Sequence, residues 1–286
     1  MIGGALITQS APPNGGLLMV VYLRSKKLES GLVELGHVSH SQIEMFLRCP
    51  RQWEHRYIEG RIIPPGGALV FGGSYHTALE YNFQHKIQTS DDMPVDDCVD
   101  CFVDAWNHAV GQWEERSLPV VWGDDNPNAL MKTGIALVQK YRTEIAPSVI
   151  PARVEHRYSL KVAGTLFVGA TDVELEGEVD VIDHKTASKS SNQADLDNAL
   201  QPSAHAFALG RELVYEHHIA VKTSKPHIQI LRTKRTHGDI VWWLDLATLV
   251  IAQMRTGLYP PNPNGWHCSP KWCGYWDLCK GGINAD

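Results

Sequence analysis

No stretch of this sequence approaches the roughly 20 consecutive apolar residues that a membrane helix needs. The longest apolar run near the start, Leu17 to Leu23, has neither the length nor the cleavage pattern of a secretory signal. Positive charge is not in excess either. Lys and Arg number 26 against 32 Asp and Glu, for a net charge of −6, so any grip on a nucleic acid has to come from local patches. No internal repeat is visible, and no Walker A motif, so ATP-driven unwinding would have to come from a partner. Cysteine is sparse, with six in 286 residues. The expected setting is cytoplasmic, with no membrane partner; thiols there stay reduced, and clustered cysteines bind metal more often than they pair.

What is present suits one large domain or two small ones, with 43% apolar residues for a core. Residues 1–36, with their GG and APPNGG clusters, read as an irregular N-terminal extension. Residues 37–286 read as one domain, with a helical insertion at about 84–150 and a Pro-, Gly- and Trp-rich segment at about 260–286 that needs something other than a hydrophobic core to order it, for which a metal would serve. Ser41 and Glu44 form a capping-box pattern opening a helix that carries Cys49. A second helix begins near Tyr75, after Gly72-Gly73, and further helices cover 96–116 and 127–146. From Arg153 the pattern turns β-rich, with consecutive hairpins punctuated by Gly164 and Gly177. Ala199 to His217 reads as helix, HIQILRTKR as a strand, and IVWWLDLATLVIAQMRTG as a strand running into a helix.

The chemistry concentrates in GATDVELEGEVDVIDHKT. Residues two apart on a strand share a face, so Asp183 and Lys185 point one way and His184 the other. A hairpin centred on Gly177-Glu178 puts Asp172 directly across from Asp183, where Cβ atoms stand about 4.5–5.5 Å apart. Carboxylates that close repel unless a cation lies between them, which marks a hard-metal site for Mg²⁺ or Mn²⁺. Lys185 beside it can orient water or neutralise charge developing on a phosphate. Further along, Lys222, Lys225, Arg232, Lys234 and Arg235 form a basic run, and Arg232, Lys234 and Arg235 are the candidate phosphate contacts.

Cys268, Cys273 and Cys279 fall within twelve residues, and Cys49 lies far upstream. Four thiolates can hold either zinc or a 4Fe–4S cluster, and spacing alone leaves both open. Cys98 and Cys101 sit on a predicted helix and read as small core hydrophobes outside that set.

Taken together, HSQIEMFLRCPRQWEHRY, GGSYHTALE, GATDVELEGEVDVIDHKT, QPSAHAFAL and CSPKWCGYWDLC resemble the PD-(D/E)xK nuclease superfamily, in its RecB-like branch of CRISPR-associated exonuclease type. The resemblance implies a restriction-endonuclease-like α/β fold: a mixed central β-sheet flanked by helices, with an Fe–S-stapled C-terminal segment. It implies that His76, Asp172, Asp183 and the carbonyl of His184 bind Mg²⁺ or Mn²⁺, that Lys185 is the catalytic lysine, and that Gln201 supports the site. Cys49, Cys268, Cys273 and Cys279 would hold a 4Fe–4S cluster. The activity implied is exonucleolytic hydrolysis of single-stranded DNA or DNA ends, with 5′ to 3′ polarity, in repair or recombination alongside a helicase, recombinase or integrase. Two departures stand out: His205 occupies the usual Tyr position, and the C-terminal spacing is C-x4-C-x5-C. Two other readings share the same residues. One is a non-catalytic DNA-end-binding subunit, against which the intact Asp172, Asp183 and Lys185 argue. The other is a trimming factor for CRISPR spacer acquisition.

Overall fold

A computed structural model describes residues 25–280, so residues 1–24 of the expected extension lie outside the described residues. Residues 25–36 are not irregular: β1 (Lys26–Lys27) pairs antiparallel with β2 (Val33–Glu34), and Val33 is buried. β3 (Val38–Ser39) leads into α1 (His40–Arg48), α2 (Pro50–Trp53) and a π-helical turn at Glu54–Ile58. Ser39, not Ser41, caps α1, because its side chain accepts from the Gln42 N–H at 3.4 Å.

α3 (Gly67–Thr89) starts well before Tyr75 and runs through Gly72-Gly73. Glycine inside a helix costs about 1 kcal/mol relative to alanine. At Gly72 α3 runs close over β6, where a Cβ would touch the Thr186 hydroxyl at 3.5 Å, an ordinary contact. α4 (Val95–Glu115) and α5 (Pro127–Glu144) follow, then a 3-10 turn at Ala146–Ser148. The remaining elements are β4 (Pro151–Val162), β5 (Thr165–Leu175), β6 (Val181–Ala187), α6 (Gln193–Asp197), α7 (Gln201–Leu209), β7 (Leu213–Val221), β8 (His227–Arg235), α8 (His237–Arg255) and α9 (Trp276–Cys279).

Two expected elements differ. The helix expected to reach His217 stops at Gly210, which takes a left-handed conformation (φ 69°) as its C-cap, and LVYEHHIAV becomes β7. The stretch expected to start as a strand at Ile240 is helical throughout. Thr236 and Asp239 form a capping box, and that N-terminal signal overrides the β-preference of Ile240, Val241, Trp242 and Trp243.

The sheet is mixed. Strands run β3-β5-β6-β7-β8, with β4 also on β5; β3–β5 and β6–β7 are parallel and the other pairs antiparallel. On one side α3, α4 and α5 pack Phe71, Tyr75, Phe102 and Tyr141 against Val173, Ile182 and Ala220. A second cluster joins α1, α2, α7 and α8 through Phe46, Trp53, Ala204 and Trp243 to Val162 and Phe167. Fully burying an aromatic of this size contributes roughly 1.5–3 kcal/mol. Val181 faces a third cluster with Leu196, Ala206 and Tyr215, so successive residues of β6 look to opposite layers. No helix among the described residues is long and apolar enough to cross a membrane.

Candidate active site

β5 and β6 pair only through Val173–Ile182 and Glu174–Val181 and then part. One step further, the same register sets Asp172 opposite Asp183, so both acids stand at the mouth of a fork. Asp172 takes over the ladder there: its Oδ2 accepts the backbone N–H of His184 at 2.8 Å. A residue's N–H and C=O point to the same side of a strand, so the His184 carbonyl faces the same gap. From the opposite layer α3 brings in His76, whose Nδ1 lies 3.3 Å from Asp172 Oδ2.

Glu155 completes this group, and the sequence reading missed it. Among the described residues, His76, Glu155 and Asp172 are the one set of three or more His, Cys, Asp or Glu whose ligand atoms all lie within 4.8 Å of one another. Hairpin arithmetic could have found it, because a turn centred on Ala163-Gly164 pairs Glu155 with Asp172 just as Gly177-Glu178 pairs Asp172 with Asp183. Glu155 itself adopts a left-handed φ of 48° within β4. Such backbone costs a non-glycine residue on the order of 1–3 kcal/mol and persists mostly at functional sites.

The charges are uneven. Burial, with Asp183 nearby, pushes Asp172 up to about 8. Burial, with Asp172 and Glu80, pushes Glu155 up to about 7. Burial lowers His76, leaving a neutral imidazole. Asp183 goes the other way: burial raises it, but Lys185 and His217 outweigh that and hold it below the ordinary carboxylate range. Lys185 likewise stays an ammonium, because Asp183 more than offsets its burial. Gln201, at the start of α7, clamps the pair, accepting from Lys185 Nζ and donating to Asp183 Oδ1, both at 2.8 Å. Lys185 Nζ is also 2.7 Å from Asp183 Oδ2. His205 is buried against Tyr158 and Tyr215, and burial lowers it to about 4.

Behind the fork the other face of β6 is tied down. Tyr141 Oη sits 3.0 Å from His184 Nε2 and 2.8 Å from His218 Nδ1, and His218 Nε2 lies 2.9 Å from Glu216. Glu216 in turn accepts from Arg232 at 2.7 Å, and Arg232 also bonds Glu178 at 2.9 Å.

That pairing corrects the basic patch. Arg232 is committed to two carboxylates. Arg235 is buried, and its guanidinium donates to the carbonyls of Leu196, Asp197 and Ala199 and to the Ser203 hydroxyl, each at 3.0 Å. A buried charge has to be saturated in this way. Arg235 therefore pins the α6–α7 connection, and with it Gln201, instead of meeting a phosphate. Lys222 lies over the Phe71 ring at 4.5 Å. Lys234 alone of the three candidates is exposed and without an ion-pair partner among the described residues.

Cys49, Cys268, Cys273 and Cys279 line one pocket with His55, His267 and Tyr275. Burial raises the Cys273 thiol, and the other three cysteines raise it further. Cys98 is instead buried on α4, donating to the Ala78 carbonyl at 3.5 Å, and Cys101 lines a separate groove between α3 and α4.

Comparison with known proteins decides the family. A family model described as the PD-(D/E)XK nuclease superfamily matches residues 37–280. The chain belongs to that superfamily. Membership makes it a nuclease, with DNA as its substrate class and a divalent metal as its cofactor class. A solved structure described as a putative exonuclease from Eubacterium rectale is similar to this PD-(D/E)XK chain at 12% identity and a TM-score of 0.50, covering 81% of this chain and 86% of that one. It shows the shared fold. The structure of SSO0001 is similar at 11% identity and a TM-score of 0.33, covering 84% of this chain and 95% of that one, too distant in shape to argue from. No curated protein matches the chain.

Proposed function

We propose that the protein is a metal-dependent DNA exonuclease of the RecB-like branch, acting on single-stranded DNA or DNA ends, with a 4Fe–4S cluster as a structural staple. The observation that carries this is the charge arrangement at the fork. Glu155 and Asp172 crowd around a neutral His76 with their carboxyls pushed toward the protonated form, beside a lysine that keeps its proton. Such a donor set fits a divalent cation, held by His76, Glu155 and Asp172 with Asp183 and the His184 carbonyl at its edge. The ion would supply positive charge to polarise the phosphodiester and acidify an attacking water. The protein's own part is electrostatic. Lys185, aimed by Gln201 and Asp183, meets negative charge gathering on the phosphate, which is the stabilisation that matters most in such reactions.

The thiol pocket supports the cluster. Four thiols lining one pocket could hold such a group, and the link from Cys49 to the tail would close a loop of roughly 220 residues. The domain reading that goes with this is a nuclease unit over 37–286, with α4 and α5 as its helical insertion. Exonuclease action has the support of the Eubacterium rectale neighbour's description, and the 5′ to 3′ polarity that of the branch resembled. Work beside a helicase, recombinase or integrase, in repair, recombination or spacer acquisition, belongs to the same proposal.

The test uses linear and covalently closed circular single strands with Mn²⁺, and a visible spectrum of anaerobically purified protein. Loss of the linear strand, survival of the circle and a brown, iron-containing protein are expected. Rapid nicking of the circle overturns the exonuclease reading, and a colourless protein with stoichiometric zinc overturns the cluster.

A further inference from the structure

We propose that the thiol-bearing lobe is a docking surface for the unpaired strand of the DNA, with Trp266 and Trp272 as stacking platforms for its bases. The inference rests on the nuclease reading above and adds where the strand is held.

Trp266 and Trp272 are 74% and 59% exposed, and their rings meet edge to face at 5.8 Å. Clustered apolar surface of this kind marks an interaction site. What distinguishes the patch is the cations seated on its rings. Lys271 Nζ lies 5.4 Å from the Trp272 ring, Lys280 Nζ lies 5.0 Å from Trp276, and the Arg56 guanidinium is 5.6 Å from Tyr57. Residues 48–61 and 256–280 together carry six Lys and Arg against three Asp and Glu, in a chain whose net charge is −6. Lys271 also pairs with Asp124 at 3.7 Å at an exposed surface, and Arg48, bonded to the Gln52 side chain, acts on Glu44; Arg56 and Lys280 have no carboxylate partner among the described residues. Exposed rings beside a net excess of cations fit one ligand chemistry above others, a chain of flat bases joined by phosphates. Bases in a duplex keep their faces inside the stack, so this surface reads unpaired strand.

Its position fits as well. α1 ends at Arg48 beside the lobe, and earlier along it Glu44 is close enough to help keep Lys185 charged. A helix of that length spans about 13 Å. A strand anchored on the tryptophans is therefore led along α1 toward the fork.

The experiment measures binding of fluorescein-labelled oligothymidine to the full chain, with Ca²⁺ replacing the catalytic ion so that nothing is cut. Trp266→Ala and Trp272→Ala should each weaken binding about tenfold, since stacking of one base is worth about that much. Blunt-duplex affinity should not change, and wild-type tryptophan fluorescence should be quenched on binding. Unchanged oligothymidine affinity in the double variant overturns the proposal. Should Trp→Ala unfold the lobe, Trp→Tyr at both positions and Lys271→Glu decide instead: affinity kept by the first and lost by the second supports the surface, and any other pattern overturns it. A concentration-dependent dimer that dissolves in Trp266→Ala, with DNA affinity intact, reassigns the face to a second copy of this chain. If wild-type protein binds through the tryptophans yet leaves linear DNA uncut with Mn²⁺, the surface stands and the nuclease reading falls.

Discussion

The fork and the thiol pocket both gather ligand-type side chains, and they are built in opposite ways. At the fork every group is set by regular structure: Asp172 and Asp183 by strand register, His76 by α3 and Gln201 by the first turn of α7. Its charges are already partly answered by Lys185, Gln201 and the His184 N–H. The thiol pocket is set by turns. Among the described residues no helix or strand lies between α8 and α9, and the segment is held by a few contacts such as Tyr275 Oη to the Arg61 carbonyl at 3.0 Å. One region keeps its shape without an ion and needs one for chemistry. The other is shaped by turns around four thiols, and on the proposed reading a bound group would hold it together.

The sharpest way to break that contrast is to exchange the damage. Lys185→Arg, which keeps a positive charge beside buried Asp183 but moves the donor, should lower kcat by about 10²–10³, the loss typical of one electrostatic donor, and leave the melting temperature nearly in place. Cys273→Ser should do the reverse: a cost of about 2–5 kcal/mol, as for a native cross-link, which is roughly 5–15 °C in a chain of this size. Single-turnover kinetics and calorimetry on both variants check it. A melting loss in the lysine variant, or none in the cysteine variant, removes the distinction.

Arg235 sharpens it from within the fork. Arg235→Met strips a donor from one buried and two part-buried carbonyls, and leaving the buried one unpaired costs about 1–3 kcal/mol. Because α7 carries Gln201, the turnover rate should fall along with the unfolding midpoint in urea. Stability lost with full activity would separate the guanidinium from the site.

The smallest effect is a slope with pH. The carboxyls of Glu155 and Asp172, at about 7 and about 8, bind a proton more tightly folded than unfolded. Metal-free stability is then complete below the ordinary carboxylate range near 4, and is lost as pH rises through those two values. Mn²⁺ binds the ionised form and should reverse the slope. Melting curves from pH 5 to pH 9 (an interval that, to order of magnitude, brackets the carboxyl titration), with chelator or with Mn²⁺, should differ by a few degrees in the slope, and Glu155→Gln should flatten both.

Much of the fork was legible because hairpin arithmetic is local: the Gly177-Glu178 turn alone predicts the register that aligns Asp172 with Asp183. β8 was legible for the same reason, its pattern matching His227–Arg235. Glu155 was missed although the Ala163-Gly164 turn aligns it with Asp172, because a glutamate with Arg153 and Arg157 two residues to either side has the look of a surface charge until the fold encloses it. Arg235 misled for the mirror reason. A cation in a basic run gives no sign that three carbonyls from the α6–α7 connection will close over it. α8 was misjudged because Ile240 to Trp243, following its first turn, are β-branched and aromatic, and the Thr236–Asp239 capping box that settles it lies just ahead of them.

The tie behind β6 also bears on how the chain avoids an error. A strand that slips by one residue exchanges its two faces. In β6 that slip would turn Asp183 toward the apolar layer of α3, α4 and α5, and His184 toward the DNA. Tyr141 holds His184 and His218 together across two neighbouring strands, so it fits only when those two residues are abreast, as the register His184–His218 has them. The tyrosine therefore ties β6 to β7 in the one register that turns Asp183 and Lys185 away from α3, α4 and α5.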